Sequence, residues 1–184
     1  MHKVFISGSM RIKNINHNVL RRIDNIIDSE FQVLVGDADG VDTSIQSYLV
    51  TKGAKSVLVY CTGSQPRNNV GSWDTNNIQT NHSPGTREYF TAKDLVMADD
   101  CDYGLMIWDA KSTGTLSNAI ELLKRKKSSL VFVNKEKLFI KVKTVIDLES
   151  LVSYMSESAL SKADKKIGLH SSIEKFKNEQ SSLF

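Results

Sequence analysis

FQVLVGDADGVDTSIQSYLVTKGAKSVLVYC, residues 31–61, decides the fold class. FQVLV (31–35) is a short, β-branched apolar run, the pattern of a strand buried on both faces. GDADG (36–40) consists of turn formers, and VDTSIQSYLVTKG (41–53) has the length of a helix and closes on Gly53. KSVLVYC (55–61) is a second apolar run. A strand, a short loop, a helix and another strand make a βαβ unit, which implies a parallel sheet and a right-handed crossover.

Working outward, the same alternation continues in both directions. KVFIS (3–7) reads as a strand ended by Gly8, and Ile15, Val19, Leu20, Ile23, Ile26 and Ile27 recur at helical spacing with charged residues opposite. Downstream come a helical stretch TREYFTAKDLVMADD (86–100), a strand YGLMIWD (103–109), a helix TLSNAIELLKRKK (115–127) and a strand SLVFVN (129–134). KLFIKVKTVIDLESLVSYMSESAL (137–160) suggests an extended stretch and then a helix. The prediction is an α/β fold with a mostly parallel sheet of about five strands. It covers 1–160 as one domain, with 161–184 a C-terminal helix or a flexible tail. Between Thr62 and about Pro84 the pattern breaks into an irregular Gly/Asn/Ser/Thr-rich segment carrying both prolines. A segment of that kind is either a functional lid or disordered.

Composition narrows the function classes. The chain has 184 residues, 40% hydrophobic and 24% charged, which is an ordinary globular balance. A net charge of +3 with basic and acidic residues interleaved does not require a nucleic-acid partner. Cys61 and Cys101 form neither a CxxC pair nor a disulfide framework, and a reducing cytoplasm suits them. The apolar run in MHKVFISGSMRIK (1–13) is too short for a signal peptide, and no segment reaches the length of a membrane span. The sequence calls for no metal and no cofactor.

In an open parallel sheet, ligands gather at the carboxyl ends of the strands. Three turns there carry chemistry. In SGSMR (7–11), Gly8 lets a ligand near the backbone, Ser9 supplies a hydroxyl and Arg11 can grip a phosphate or carboxylate with two bonds. The alternative is a tight turn with a solvated arginine. In GDADGVD (36–42), Gly36 and Gly40 bracket Asp37 and Asp39, while Asp42 falls where a helix begins and reads as a cap. The aspartates lack the terminal bidentate glutamate of a calcium loop. In STGT (112–115), backbone amides and a helix dipole form an anion site, or else Ser112 or Thr113 merely caps the helix. Three such turns at one sheet edge favour a ligand. In the long loop, Arg67 and Trp73 can act as a lid that reaches a phosphate and stacks a base. Lys124, Arg125, Lys126 and Lys127 read as a solvated helix end, and the four histidines form no motif.

Two of these stretches carry a family resemblance. GDADGVDTSIQSYL resembles the SG-x-A-x-GID-x-x-x-H signature of the DNA-processing Smf proteins, matching at Gly36, Ala38, Gly40, Val41 and Asp42, with Gln46 in place of histidine. AKDLVMADDCDYGLMIWDAKSTGT is similar to the RK-x-x-M-x-x-x-x-D…PGG-x-GT-x-x-E segment of the Lonely Guy phosphoribohydrolases, which release a base from a nucleoside monophosphate. Both families belong to the SLOG superfamily. The resemblance implies a Rossmann-like three-layer sandwich, a nucleotide or nucleotide-derived ligand, and a homo-oligomer. Lys93 stands where the hydrolases have arginine, Asp94 replaces their next lysine, and Asp109 and Ala110 replace their double glycine. Asn118 replaces their glutamate, and an amide is no general acid or base; Glu121 lies three residues on, near the same helix face. More distantly, Asp109 followed by Gly114 and Thr115 resembles the nucleoside deoxyribosyltransferases. Cleavage of an N-glycosidic bond needs a carboxylate near the anomeric carbon, for which Asp109, Glu88, Asp94 and Glu121 are candidates.

The resulting expectation is a nucleotide-binding domain. Gly8, Ser9, Arg11, Gly36, Asp37, Gly40, Ser112, Gly114, Thr115 and Asn118 line its ligand, and Arg67 and Trp73 cover it. The enzymatic alternative is an N-glycosidic hydrolase or transferase using Asp109, Lys93 and Glu121. A third reading, a single-stranded DNA-binding module, requires strongly salt-dependent binding.

Overall fold

The computed structural model describes residues 1–181, in which one seven-stranded sheet separates two helical layers. The strands are β1 (Lys3–Gly8), β2 (Gln32–Gly36), β3 (Val57–Thr62), β4 (Thr75–Ile78), β5 (Tyr103–Trp108), β6 (Ser129–Val133) and β7 (Leu138–Val142). The helices are α1 (His17–Asp28), α2 (Val41–Thr51), α3 (Arg87–Asp100), α4 (Thr113–Lys124), α5 (Val145–Val152), α6 (Glu157–Ile167) and α7 (Leu169–Ser181). This is the Rossmann-like α/β sandwich that the sequence predicts, with two more strands than the expected five. One extra strand, β4, is a four-residue polar edge inside the long loop, too short and too polar to show a period. The other, β7, runs antiparallel against β6; every other pairing is parallel.

Alternation along each strand assigns its side chains to the two faces. Val4 and Ile6 of β1 and Leu105 and Ile107 of β5 pack with Val19 and Ile23 of α1 and Ile45 and Leu49 of α2. Phe5 of β1 and Met106 and Trp108 of β5 face the opposite layer, with Met97 of α3, Leu116 and Ile120 of α4, Leu148 and Leu151 of α5, and Ala159 and Ala163 of α6. The α1 stripe falls where its spacing places it: Ile15, Leu20, Ile26 and Ile27 flank the buried pair Val19 and Ile23.

The sheet order is β4-β3-β2-β1-β5-β6-β7. From β1 the chain winds outward to β2, β3 and β4; from β5 it winds the other way to β6. The reversal opens a crevice between the carboxyl ends of β1 and β5, the position where ligands bind in open α/β sheets. After β7, a capping box of Thr144 and Asp147 starts α5. Ser156 caps α6, and Gly168 in the left-handed conformation turns the chain into α7. The last three residues of the segment expected to be a C-terminal helix or tail, 182–184, lie outside the described residues. Among the described residues no helix is long and apolar enough to cross a membrane.

Candidate functional site

The β1–β5 crevice contains a pocket of about 400 Å³, lined among others by Met10, Arg11, Asp109, Lys111 and Gly114 from the two loops and by Lys162 and Lys166 from α6. Behind its wall lies a buried hydroxyl network, which reaches the pocket at Ser112 and of which Ser9 and Thr115 do not themselves line the pocket. Ser9, buried at the end of β1, accepts a hydrogen bond from the Asp109 amide at 3.1 Å, and its Oγ lies 3.4 Å from Thr115 Oγ1. Thr115 Oγ1 donates to Ser112 Oγ at 3.1 Å, and Ser112 Oγ accepts from the Thr115 amide as the N-cap of α4. Ser112 thus caps the helix, and the first turn of α4 also faces the pocket.

Gly114 is open where Gly8, Gly36 and Gly40 are closed. A Cβ there would meet nothing nearer than Ser112 Oγ at 4.0 Å, so the space beside it belongs to the pocket. At Gly36, by contrast, a Cβ would strike the Asp42 carboxylate and lie 2.8 Å from Lys93 Nζ, and at Gly40, with φ 81°, it would strike the Met10 backbone. Gly8 is likewise pressed against the Ile107 carbonyl. At these three positions the atoms that leave no room for a side chain are the protein's own.

Charge in the pocket is one-sided. Arg11, Lys111, Lys162 and Lys166 are exposed on its walls, and among the described residues none of the four is ion-paired. Among the described residues Asp109 is the one carboxylate lining it. Its Oδ1 accepts from the amides of Lys111 at 2.9 Å and Ser112 at 2.7 Å, which fixes the loop as an Asx turn and delivers the chain to the α4 cap. Ser156, the N-cap of α6, also lines the pocket.

Several of the predicted site residues sit elsewhere. Lys93 is buried at the carboxyl end of β2, bonded to Asp94 at 2.8 Å beside Asp42, and cannot touch a ligand in the pocket. Burial alone would drive its proton off, but the charges of Asp94 and Asp42 more than offset this and raise its pKa. Asp42 is not an N-cap, since Gly40 holds that position without a side-chain cap bond. Its Oδ2 accepts from the Ala38 amide, and burial, with Asp94 and Asp37 nearby, pushes its pKa up to about 7 despite Lys93. Asp37 is gripped by Arg67 through Nε at 3.1 Å and Nη2 at 2.8 Å and by the Arg67 amide at 3.0 Å. Burial would raise the Asp37 pKa, and these bonds hold it below the usual carboxylate range.

Arg67 is thus committed to Asp37 and stacks over Phe90 at 4.7 Å, and Trp73 packs on the α1–α2 core with its indole N–H donating to the Ala54 carbonyl at 2.9 Å. Gln46 adds to the anchoring: it donates to the Gly36 and Asn68 carbonyls and accepts from the Val70 amide. Within the segment expected to be a lid or disordered, residues 67–73 are pinned to Asp37, Gln46 and Ala54. Asn118 donates to Ser7 Oγ at 3.2 Å and borders a separate cavity between α3 and α4. Glu121, in the same cavity, is bonded to Lys124 at 2.7 Å and to Arg125 at 2.5 Å, so its charge is neutralised by neighbours on its own helix.

Lys162 and Lys166 carry no signal in local sequence that ties them to the site. They form an i, i+4 pair on a polar helix, and only the docking of α6 against α4 brings them to the pocket. Among the described residues no group of three or more His, Cys, Asp or Glu side chains could hold a metal ion. The chain has no significant match to a protein-family model, to a curated protein or to a solved structure.

Proposed function

We propose that this protein binds a nucleotide or nucleotide-derived small molecule in the β1–β5 crevice, with a phosphate seated at the first turn of α4. The observation that carries this reading is a pocket at the topological switch point whose walls hold four cations without an ion-pair partner among the described residues. An anion there gains the α4 dipole and charge-assisted bonds from Arg11 and Lys111. The resemblance to the SLOG superfamily supports the same reading. The two buried thiols, Cys61 and Cys101, fit a reducing cytoplasm.

The enzymatic alternative finds less support. Hydrolysis or exchange at an N-glycosidic bond works best with two acid–base groups flanking it. The pocket offers Asp109 alone, with one oxygen already bound to two amides, while Lys93 and Glu121 lie outside. Mass spectrometry of small molecules retained by the purified protein tests the binding reading. The expected result is an intact phosphate-bearing nucleotide that is lost from the Arg11→Ala/Lys111→Ala variant. A nucleotide that survives this substitution, or release of free base from added nucleoside monophosphate that Asp109→Ala abolishes, would contradict it.

A further inference from the structure

Resting on that reading, we infer that the pocket selects ligands carrying two or more phosphates, and that Lys162 and Lys166 of α6 form the subsite for the second. One phosphate at the α4 end engages Arg11 and Lys111, which come from the loops after β1 and β5. That pair supplies two positive charges, as many as a monoester dianion carries negative ones. Lys162 and Lys166 add two more from a different element across the same pocket, and the single carboxylate, Asp109, belongs to the loop side. Four cations facing one acid around about 400 Å³ leave a charge excess that a monophosphate does not satisfy.

The shape of the surface agrees. A second concavity, of about 360 Å³, is lined by Ser158, Ser161, Lys162, Lys165 and Lys166, so the two lysines stand on the ridge shared by both hollows. The cationic surface therefore continues past α6, with Lys165 added on the outer side. A phosphate chain, or the phosphate bridge of a dinucleotide, can run from the α4 turn across this ridge. Lysine suits the position because its point charge on a long stem can follow a tetrahedral group without the fixed fork of arginine.

The test is titration calorimetry at fixed ionic strength with orthophosphate, pyrophosphate and tripolyphosphate, then with adenosine triphosphate and diadenosine tetraphosphate. Affinity is expected to rise at least tenfold from orthophosphate to tripolyphosphate. Lys162→Ala/Lys166→Ala should shrink that rise to less than threefold and weaken orthophosphate binding far less than tripolyphosphate binding. Lys55→Ala/Lys141→Ala, which removes the same charge away from the pocket, should preserve the rise. The substituted lysines are exposed, and an unchanged thermal transition confirms that the variants fold. Tighter binding of the triphosphate marks a chain on one nucleoside; tighter binding of the tetraphosphate marks a bridge between two. A flat series in the wild-type protein, or a rise that persists in the α6 variant, overturns the inference while leaving the α4 phosphate site standing. Absence of binding by every probe overturns both, as does a single-stranded oligonucleotide that outcompetes tripolyphosphate.

Discussion

At Gly114 folding and the proposed binding can be tested apart. Because a side chain there meets open space, Gly114→Asp should keep the fold. A carboxylate in the first turn of α4 favours the helix dipole by about 0.3–1 kcal/mol, so thermal stability should hold or rise slightly. The same charge repels an incoming phosphate, and calorimetry should show anion affinity reduced at least tenfold; unaltered affinity would remove the α4 turn from the site. Asp42 predicts a pH dependence. Its folded pKa of about 7 lies above its unfolded value, so the protein holds most stability from this group below about pH 4 and loses it as pH rises through 7. Asp42→Asn, which cannot ionise, should gain on the wild type across that window by an amount on the order of 1–4 kcal/mol, measured by denaturation at each pH. An equal offset at pH 4 and pH 7 would contradict the buried carboxylate account. Of the pocket lining, Arg11, Asp109, Ser112 and Gly114 are legible in sequence because each sits within a few residues of a strand end that periodicity marks. Lys93 looked like a ligand group only because sequence shows its charge and not its burial between Asp42 and Asp94.

At the scale of elements, α4 and the pinned loop make opposite predictions. Ser112→Ala removes both the cap on Thr115 and a member of the hydroxyl network, and should cost about 1 kcal/mol of stability while weakening anion binding. Trp73→Phe removes the bond to Ala54 and should cost a similar amount, about 0.5–1.5 kcal/mol, yet leave nucleotide affinity unchanged. Reduced affinity in that variant would restore the loop to the role of a lid. Strong period made α1 readable, because six apolar residues at helical spacing admit one solution. The strand β4 was not readable, since TNNI gains its structure from pairing with β3 and has no apolar face of its own. The contribution of α6 was hidden for the same reason. Its apolar side, Ala159 and Ala163, predicts that it packs somewhere, and only the fold decides that its lysines reach the α4 turn.

Across the whole molecule, the net charge of +3 is small, and what matters is where it gathers. Acidic and basic groups pair off on much of the surface, as in Asp24–Lys52, Asp99–Arg125 and Glu149–Lys177, whereas the pocket cations have no such partners among the described residues. The order of the strands places that excess at the crevice where the winding reverses, so topology and electrostatics mark one position. The parallel sheet could be read from alternating strands and helices, but the location of the switch point could not, because strand order is set by crossovers that sequence period does not encode. A nitrogen–proton correlation NMR titration with adenosine triphosphate tests this most directly. The account predicts saturable shifts concentrated at Arg11, Lys111, Thr113 and Gly114 and along α6 near Lys162 and Lys166. Shifts centred instead on the Arg67–Trp73 loop or on the α3–α4 cavity, with the α4 turn unmoved, would contradict it.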